Sequence, residues 1–360
     1  MAPSRSGRAP QTILLIPALV LLLLRALNAA DFSVTPPTKH FGACDGSDGV
    51  AIGQDYFVSA TDENNTLWLY STDPDSKATK LDVPLSSWAK APPKKKQPGE
   101  FHECDLEGAA QIGRRIYWIG SHARNKDGEL CPEREVLFAT DISNSAEKTK
   151  LTLVGTEPYR TLIADILADP KLAEIRTAIH DARGEAATDQ QKVPTKEGAL
   201  NIEALCADGK ALLIGFRNPI PGGKALLVPL LNPDAVLENG EPATFGKPIL
   251  LDLGGLGLRD MVRWRNNFLI VAGDYRDGSD PNAQPSKLFQ WEGEGKTPIA
   301  LNVKLEGLNP EGAVVFGDGN DAKLLLLSDD GTQLINGVKM KDLEESKQFF
   351  RSVWLEDVRK

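Results

Sequence analysis

The stretch CDLEGAAQIGRRIYWIGSHARN, residues 104–125, contains the pattern that decides the fold. Its acidic residue Glu107 precedes a short apolar run and a turn at Gly113. A second, more apolar run then ends in the polar group SHARN. Short apolar runs separated by turn residues predict β-strands. The stretch therefore predicts an antiparallel pair of strands that begins at a carboxylate.

Four further stretches repeat this pattern, and a third strand follows in every unit. They are GSDGVAIGQDYFVSATDENN from Gly46, LNIEALCADGKALLIGFRNP from Leu200, GLRDMVRWRNNFLIVAGDYRDG from Gly257 and LNPEGAVVFGDGNDAKLLLLSDDG from Leu308. Four units also have a fourth strand-like run. Four short strands in about fifty residues are typical of a β-propeller blade. The sequence therefore predicts an all-β fold, a β-propeller with five visible blade repeats.

The blade count stays open between five and six, because a degenerate sixth blade would not be recognisable in the sequence. The segment FRSVWLEDV, residues 350–358, is predicted to close the ring by completing a blade with the other end of the chain. Two β-sandwiches in tandem are the alternative fold. That alternative does not explain why an acidic residue recurs at the same place in each unit.

The interval between the second and third units is longer than the others. Apolar residues between Tyr159 and Arg183 recur at helical spacing, and Asp169–Pro170 is typical of a helix start. We therefore expect a helical and loop insertion at 157–195 between two blades.

The first thirty residues have the pattern of a cleaved secretory signal. Two arginines precede the apolar run ILLIPALVLLLL, residues 13–24, and small residues follow it before Asp31. A membrane anchor is the alternative, but the run is short for a span. We expect a signal peptide at 1–30, a single propeller domain at 31–360 and export to the periplasm or the extracellular space. No later apolar run has spanning length, which predicts no membrane span in the mature chain.

Composition excludes some partners. The formal net charge is −9, and removal of the three arginines of the signal would change it to −12. An acidic surface repels phosphate backbones, so we expect no nucleic-acid partner. Export permits disulfides among Cys44, Cys104, Cys131 and Cys206. A Cys44–Cys104 bond is one option, since each residue precedes an acidic position, but the pairing stays open.

The recurring acidic residues define a candidate site. They are Asp48, Glu107, Glu203, Asp260 and Glu311. The innermost strands of a propeller line its central channel, so five carboxylates would converge at one mouth. Such crowding either raises pKa values or attracts cations, and oxygen ligands suit calcium or magnesium. We expect a divalent cation, with calcium favoured. The structural alternative is that each carboxylate accepts N–H groups from the neighbouring blade and locks the blades together.

The polar groups after the second strands supply further candidates. His122 is the candidate for proton transfer, although a lone loop histidine is more often ordinary polar surface. Five residues are candidates for binding a small-molecule or anionic ligand: Arg124, Arg217, Asn218, Arg259 and Asp274. The sequence has no Gly-x-Ser-x-Gly, His-Glu-x-x-His or phosphate-binding glycine loop.

Several of these motifs, in their order along the chain, resemble a bacterial exported propeller family. They include DLEGAA from Asp105, YWIGSHARNKDG from Tyr117, LNIEAL from Leu200 and LNPEG from Leu308. The family is the domain of unknown function number thirty-six sixteen. The resemblance covers nearly all of the mature chain and implies a propeller and export, but no reaction.

The Glu-Gly pair at blade starts is also similar, more distantly, to the propeller of phytase-like esterases. That likeness implies divalent-metal or phosphoester chemistry. The third and fourth units depart from it, with Glu203–Ala204 and Asp260–Met261.

Three functions follow as hypotheses. The first is an exported propeller that binds a ligand or divalent cation at an acidic channel mouth. The second is a metal-dependent hydrolase of a phosphoester, ester or lactone. The third is a non-catalytic interaction platform that presents the helical insertion to a protein partner, whose identity stays unknown. Fold alone does not choose among them.

Overall fold

The computed structural model describes residues 32–74, 78–95, 98–144, 146–184, 199–276 and 283–358. The expected signal peptide at 1–30 lies outside these residues, as does the part of the expected insertion at 185–195. Within the described residues, no helix has the length and apolar character needed to cross a membrane.

Five antiparallel sheets in the described residues form the five blades of a propeller, which confirms the predicted fold class. Blade 1 contains β3 (Asp48–Ile52), β4 (Tyr56–Ala60), β5 (Trp68–Ser71) and β6 (Thr79–Lys80). Blade 2 contains β7 (Leu106–Ile112), β8 (Arg115–Gly120), β9 (Leu137–Ser143) and β10 (Lys150–Leu153). Blade 3 contains β11 (Asn201–Asp208), β12 (Ala211–Asn218), β13 (Ala225–Leu230) and β14 (Ile249–Leu251). Blade 4 contains β15 (Gly257–Trp264), β16 (Asn267–Gly273), β17 (Lys287–Trp291) and β18 (Ile299–Ala300).

Blade 5 is completed by both ends of the chain. Its strands are β19 (Pro310–Phe316), β20 (Lys323–Ser328) and β23 (Phe349–Asp357), with β1 (Phe32–Val34) and β2 (Thr38–Phe41) at its outer edge. β1 pairs with β23 at Phe32↔Asp357, and β2 pairs with it at Thr38↔Ser352. This closure confirms the predicted role of the C-terminal strand and pairs the outer edge of β23 along two segments. A small hairpin of β21 (Leu334–Ile335) and β22 (Val338–Lys339) lies between β20 and β23.

The first strand of each blade lies next to the central axis. β3 packs against β7, β7 against β11, β11 against β15, β15 against β19 and β19 against β3, so the five strands form a closed ring. Buried apolar side chains fill the spaces between blades. Ile119 of blade 2, for example, shares a core cluster with Leu205 and Ile214 of blade 3.

The expected helical insertion lies between β10 and β11. The described helices are α1 (Leu85–Trp88), α2 (Leu162–Ala168), α3 (Arg176–Arg183) and α4 (Pro233–Asn239). α2 and α3 bury Ile163, Ile166 and Ile179 in the cluster shared by blades 2 and 3. The insertion is therefore packed onto the propeller wall. As the sequence predicted, Asp169 caps the turn after α2, and its Oδ1 accepts a hydrogen bond from the amide of Lys171 at 2.8 Å.

The four cysteines are buried and free. The structure does not contain the Cys44–Cys104 bond that the sequence left open. Burial raises the pKa of the Cys104 thiol to about 12, which makes it a poor nucleophile.

Candidate functional site

A β-bulge in the first strand of four blades positions the central side chains. The register of each strand shifts by one residue, and the extra residue is Glu107 in blade 2, Glu203 in blade 3, Arg259 in blade 4 and Glu311 in blade 5. Bulges often redirect a side chain towards a functional site. The bulge position therefore carries three carboxylates and one guanidinium.

Asp48 and Asp260 lie one residue beyond this position. Each is paired directly, Asp48 with Ala60 and Asp260 with Val271. This corrects the expectation that all five acidic residues are equivalent. The residue of blade 4 that corresponds to Glu107 is Arg259, so the proposed ring of five carboxylates is reduced to three. The sequence could not show the difference, because a bulge is a property of cross-strand pairing.

Asp48 connects neighbouring blades, and Asp260 occupies the same position in blade 4, where its buried Oδ2 has no partner among the described residues. Asp48 Oδ1 accepts a hydrogen bond from the amide of Gly49 at 2.5 Å, and its Oδ2 accepts one from the amide of Ala109 in blade 2. Asp260 Oδ1 accepts one from the amide of Met261 at 2.5 Å. Burial raises the pKa of Asp260, and the amides of Met261 and Ala313 in blade 5 oppose that shift. Neither aspartate lines the central cavity, and their contacts match the blade-locking alternative.

A cavity of about 1360 Å³ opens at one end of the channel. The bulge residues Glu107, Glu203, Arg259 and Glu311 all line it. Residues at or just after the ends of second strands also contribute: Asp62, Arg217, Asp274 and Asp329. Ten acidic and nine basic side chains line the cavity, so its charge is mixed. Its chemistry therefore depends on where the two signs are located.

Three carboxylates meet on the side formed by blades 1 and 2. Asp62, Asp105 and Glu107 each place one oxygen within 4.8 Å of the others, which is close enough to hold one metal ion. Asp105 accepts hydrogen bonds from Ser121 Oγ and, at 2.9 Å, from Arg134 Nη1. The side chains of Asp62 and Glu107 accept none from any residue that the structure describes.

Burial is the main electrostatic effect on these groups. It raises the pKa of Asp62 well above the ordinary range, and neighbouring Asp45 and Glu107 add to the shift. It also raises the pKa of Glu107, with added repulsion from Glu203 and Asp105. The charged forms are thus disfavoured unless a cation or proton compensates them.

The opposite side of the cavity is charge-paired. Arg217 Nη1 lies 2.7 Å from Glu203 Oε1, and Arg259 Nη1 contacts Glu311 and lies 3.4 Å from Glu203 Oε2. Burial alone would raise the pKa of Glu203, but Arg217 and Arg259 outweigh it and lower that pKa. These carboxylates already have cationic partners, unlike Asp62 and Glu107.

Two of the sequence candidates do not line the cavity. His122 is buried, its Nδ1 lies 2.8 Å from the carbonyl of Gly120, and burial lowers its pKa to about 4. Asn218 is buried and donates from Nδ2 to the carbonyl of Ala199 at 2.5 Å. The geometry gives neither residue a route to a ligand in the cavity.

Arg124 and Asp274 do line the cavity, but both are engaged by neighbours. Arg124 donates from Nε and Nη2 to the carbonyl of Arg183, at 3.1 and 2.8 Å. Hydrogen bonds from Arg276 lower the pKa of Asp274, against the effect of burial.

Asp105 is the residue that sequence reasoning missed. The sequence held no clear signal for it, because Asp105 precedes β7 with a positive φ of 53° and Glu107 is a bulge residue, so strand alternation does not relate the two.

Several solved structures have a remote likeness to this chain. The GH43 protein BlXynB from Bacillus licheniformis has a TM-score of 0.43 and 9% identity, and the match covers 89% of this chain and 54% of that one. The native Bacillus subtilis arabinanase Arb43A has a TM-score of 0.38 and 11% identity, with 88% and 95% covered. The WD40 β-propeller domain of Doa1 has a TM-score of 0.28 and 12% identity, with 83% and 67% covered. The chain thus spans about half the length of BlXynB, and these likenesses concern the fold alone.

No curated protein matches the chain significantly. A family model described as "Protein of unknown function (DUF3616)" matches residues 139–334, more than half of the chain. The protein therefore belongs to the DUF3616 family.

Proposed function

We propose that this protein is an exported propeller that binds a divalent cation, with calcium favoured, through Asp62, Asp105 and Glu107. The observation that carries the proposal is the approach of three carboxylate oxygens to within 4.8 Å of one another. Two of these side chains have no hydrogen-bond donor among the described residues. Calcium takes about six to eight oxygen ligands, so the three carboxylates would leave positions for water or a ligand.

Charge balance supports a divalent ion. Arg134 is the basic partner of this group, and it contacts Asp105 at 2.9 Å and Glu103 at 2.8 Å. Arg259 and Arg217 oppose the upward shift of the Glu107 pKa but do not cancel it, so the charges of Asp62 and Glu107 stay incompletely compensated. A divalent cation would remove both the mutual repulsion and the cost of burying these charges.

Two considerations favour calcium over magnesium. The ligands come from separate segments of two blades, and calcium tolerates the irregular geometry that such sites have, whereas magnesium requires a near-ideal octahedron. Export, which the pattern of residues 1–30 predicts, would also place the site outside the cytosol.

A thermal melt of the purified protein tests the proposal. The unfolding midpoint is measured in EDTA and then with calcium, magnesium, manganese or zinc. Saturation a hundredfold above the dissociation constant would add about 2.7 kcal/mol to the free energy of unfolding. We expect calcium to raise the midpoint and Asp62→Asn to abolish the rise.

Glu63→Gln is the matched control. Glu63 is adjacent in sequence, lies at the rim and pairs with Lys341 at 2.8 Å. The control should keep the calcium response. The proposal fails if no cation stabilises the protein, or if both variants respond like the wild type.

Hydrolysis of a phosphoester, ester or lactone is the second candidate. It is supported by Arg259, which lines the same cavity on the side opposite the proposed cation site and would hold the anionic part of a substrate. A substrate panel, assayed with calcium and with EDTA, tests it. Calcium-dependent turnover lost in Asp62→Asn would support hydrolysis, whereas calcium binding without turnover on the panel would favour a binding protein. His122→Asn should leave any turnover unchanged, because His122 does not line the cavity.

A further inference from the structure

Arg259 uses only one end of its guanidinium group. Nη1 contacts Glu311 and Glu203, while Nε is buried and has no acceptor among the described residues. No described residue accepts a hydrogen bond from Nη2 either. Nε and Nη2 donate in parallel and form a fork that matches two oxygens of a carboxylate or phosphate. A buried donor without an acceptor is unfavourable, so the open fork requires an explanation.

The surroundings hold this arginine in place. Glu203 is fixed by Arg217 at 2.7 Å and by Asn201 Nδ2 at 2.8 Å. Arg259 also packs closely over Gly273, where a Cβ atom would lie 2.9 Å from Nε. The glycine therefore leaves the space that the arginine side chain occupies. The fork is preorganised, which reduces the entropy that a ligand loses on binding.

The charges around the fork permit an anion. Arg217 and Arg259 balance Glu203 and Glu311, and Asp329 and Glu107 also act on Arg259. The cavity as a whole has ten acidic and nine basic side chains, so an incoming anion meets a small net negative charge. The rim adds Lys126, Lys287 and Lys339, which are exposed and come from blades 2, 4 and 5. None of the three forms an ion pair within the part of the chain that the structure describes. These lysines would attract anionic molecules to the cavity.

We propose that the open fork of Arg259 binds an oxyanion, a carboxylate or a phosphate group, of a small ligand that shares the cavity with the cation. This inference rests on the proposed function only for the presence of the cation. The cavity, at about 1360 Å³, has room for a ligand larger than the anionic group itself. The ligand class is therefore a small acid or phosphoester whose anionic group binds Arg259 and whose other oxygens face Asp62, Asp105 and Glu107 across the bound cation.

Side-chain NMR of arginine tests the inference. The Nε–H signal of Arg259 is assigned from its loss in Arg259→Lys, and the protein in EDTA is titrated with acetate and, separately, with inorganic phosphate. We expect a saturable shift of the Arg259 signal with at least one anion. The anion that produces it identifies the group as a carboxylate or a phosphate.

The variants give a second measurement. Arg259→Lys keeps the charge but removes the fork, and it should weaken binding of the active anion about tenfold or more. Arg263→Lys is the matched control, because Arg263 is on the same strand and half exposed. Unchanged affinity in Arg259→Lys, or an Arg259 signal that neither anion shifts, would overturn the inference. Because the titration is done in EDTA, failure of the cation site would not produce either result.

Discussion

Two pairs of carboxylates, one buried and one half-buried, lie within the same propeller and have opposite surroundings. At the blade interfaces, Asp48 and Asp260 accept hydrogen bonds from backbone amides. On the side of the cavity formed by blades 1 and 2, the side chains of Asp62 and Glu107 accept no hydrogen bond from the described residues. Burial raises the pKa of all four. Each interface aspartate thus has at least one oxygen held by a backbone amide, although Oδ2 of Asp260 has no partner among the described residues. Neither oxygen of Asp62 or Glu107 has a described donor, so burial alone does not mark a site.

Removal of an interface carboxylate should have the largest effect. Asp48→Ala leaves the amides of Gly49 and Ala109 buried without acceptors and breaks the link between blades 1 and 2. We expect the free energy of unfolding to fall by about 3–4 kcal/mol, measured by urea denaturation. Asp55→Ala, at an exposed turn of the same blade, should change it by less than about 0.5 kcal/mol. A loss below about 1 kcal/mol for Asp48→Ala would show that the interface carboxylates do not lock the blades.

The comparison also shows what the sequence could predict. Blades, closure and insertion follow from local patterns of apolar residues and turns, and the structure confirms them. The bulge at Arg259 does not follow from local sequence patterns, because it depends on how β15 pairs with β16. For that reason the sequence placed Asp260 in the ring position that Arg259 occupies. Asp62 and Asp105 come from different blades, so their approach depends on the closed ring and not on spacing.

The same contrast occurs between two buried histidines. Burial lowers the pKa of both His40 and His122 to about 4, but Nε2 of His40 lies 2.8 Å from Ser352 Oγ, whereas Nε2 of His122 has no partner among the described residues. The native pKa of His122 is below the unfolded value of about 6.5, so the unfolded state binds protons first as the pH falls. Stability should therefore be lost between about pH 6.5 and pH 4, by about 3 kcal/mol for His122.

His122→Asn should remove this part of the pH dependence. Asparagine tolerates the positive φ of 56° at this position. The difference in unfolding free energy between variant and wild type should change by about 3 kcal/mol from pH 7 to pH 4. His102→Asn, at an exposed position, is the control and should show no such change. If the difference in unfolding free energy between His122→Asn and the wild type does not change with pH, the pKa of His122 is not lowered. An unrecognised acceptor near Nε2 would then stabilise the protonated ring.

Gly312 is the glycine at the position in blade 5 that corresponds to Asp260, and it tests how closely neighbouring blades pack there. Gly312 in blade 5 lies directly after its bulge residue, as Asp260 does in blade 4, and a Cβ atom there would lie 2.9 Å from the carbonyl oxygen of Gly46 and 3.0 Å from Cα of Asp48. Because both neighbours are backbone atoms, Gly312→Ala should separate blades 5 and 1 locally. We expect a loss of about 2 kcal/mol by urea denaturation. Gly317→Ala is not a suitable control because of its positive φ, whereas Ala300→Gly, in an exposed edge strand, should cost less than about 1 kcal/mol.

The smallest change in unfolding free energy is expected for Glu107, on the side of the cavity formed by blades 1 and 2, and its sign is informative. Glu107 has no described hydrogen-bond partner, whereas Glu311 contacts Arg259 and accepts from Asn309 Nδ2 at 3.2 Å. In EDTA, Glu107→Gln removes a half-buried charge that its acidic neighbours repel, and it should raise the free energy of unfolding by up to about 1 kcal/mol. Glu311→Gln, of the same chemistry, should lower it, because Arg259 loses a partner. With saturating calcium the sign for Glu107→Gln should reverse, since the variant lacks a ligand. Equal losses for both variants in EDTA would show that Glu107 is a structural carboxylate like Asp48, and the distinction between the two groups would fail.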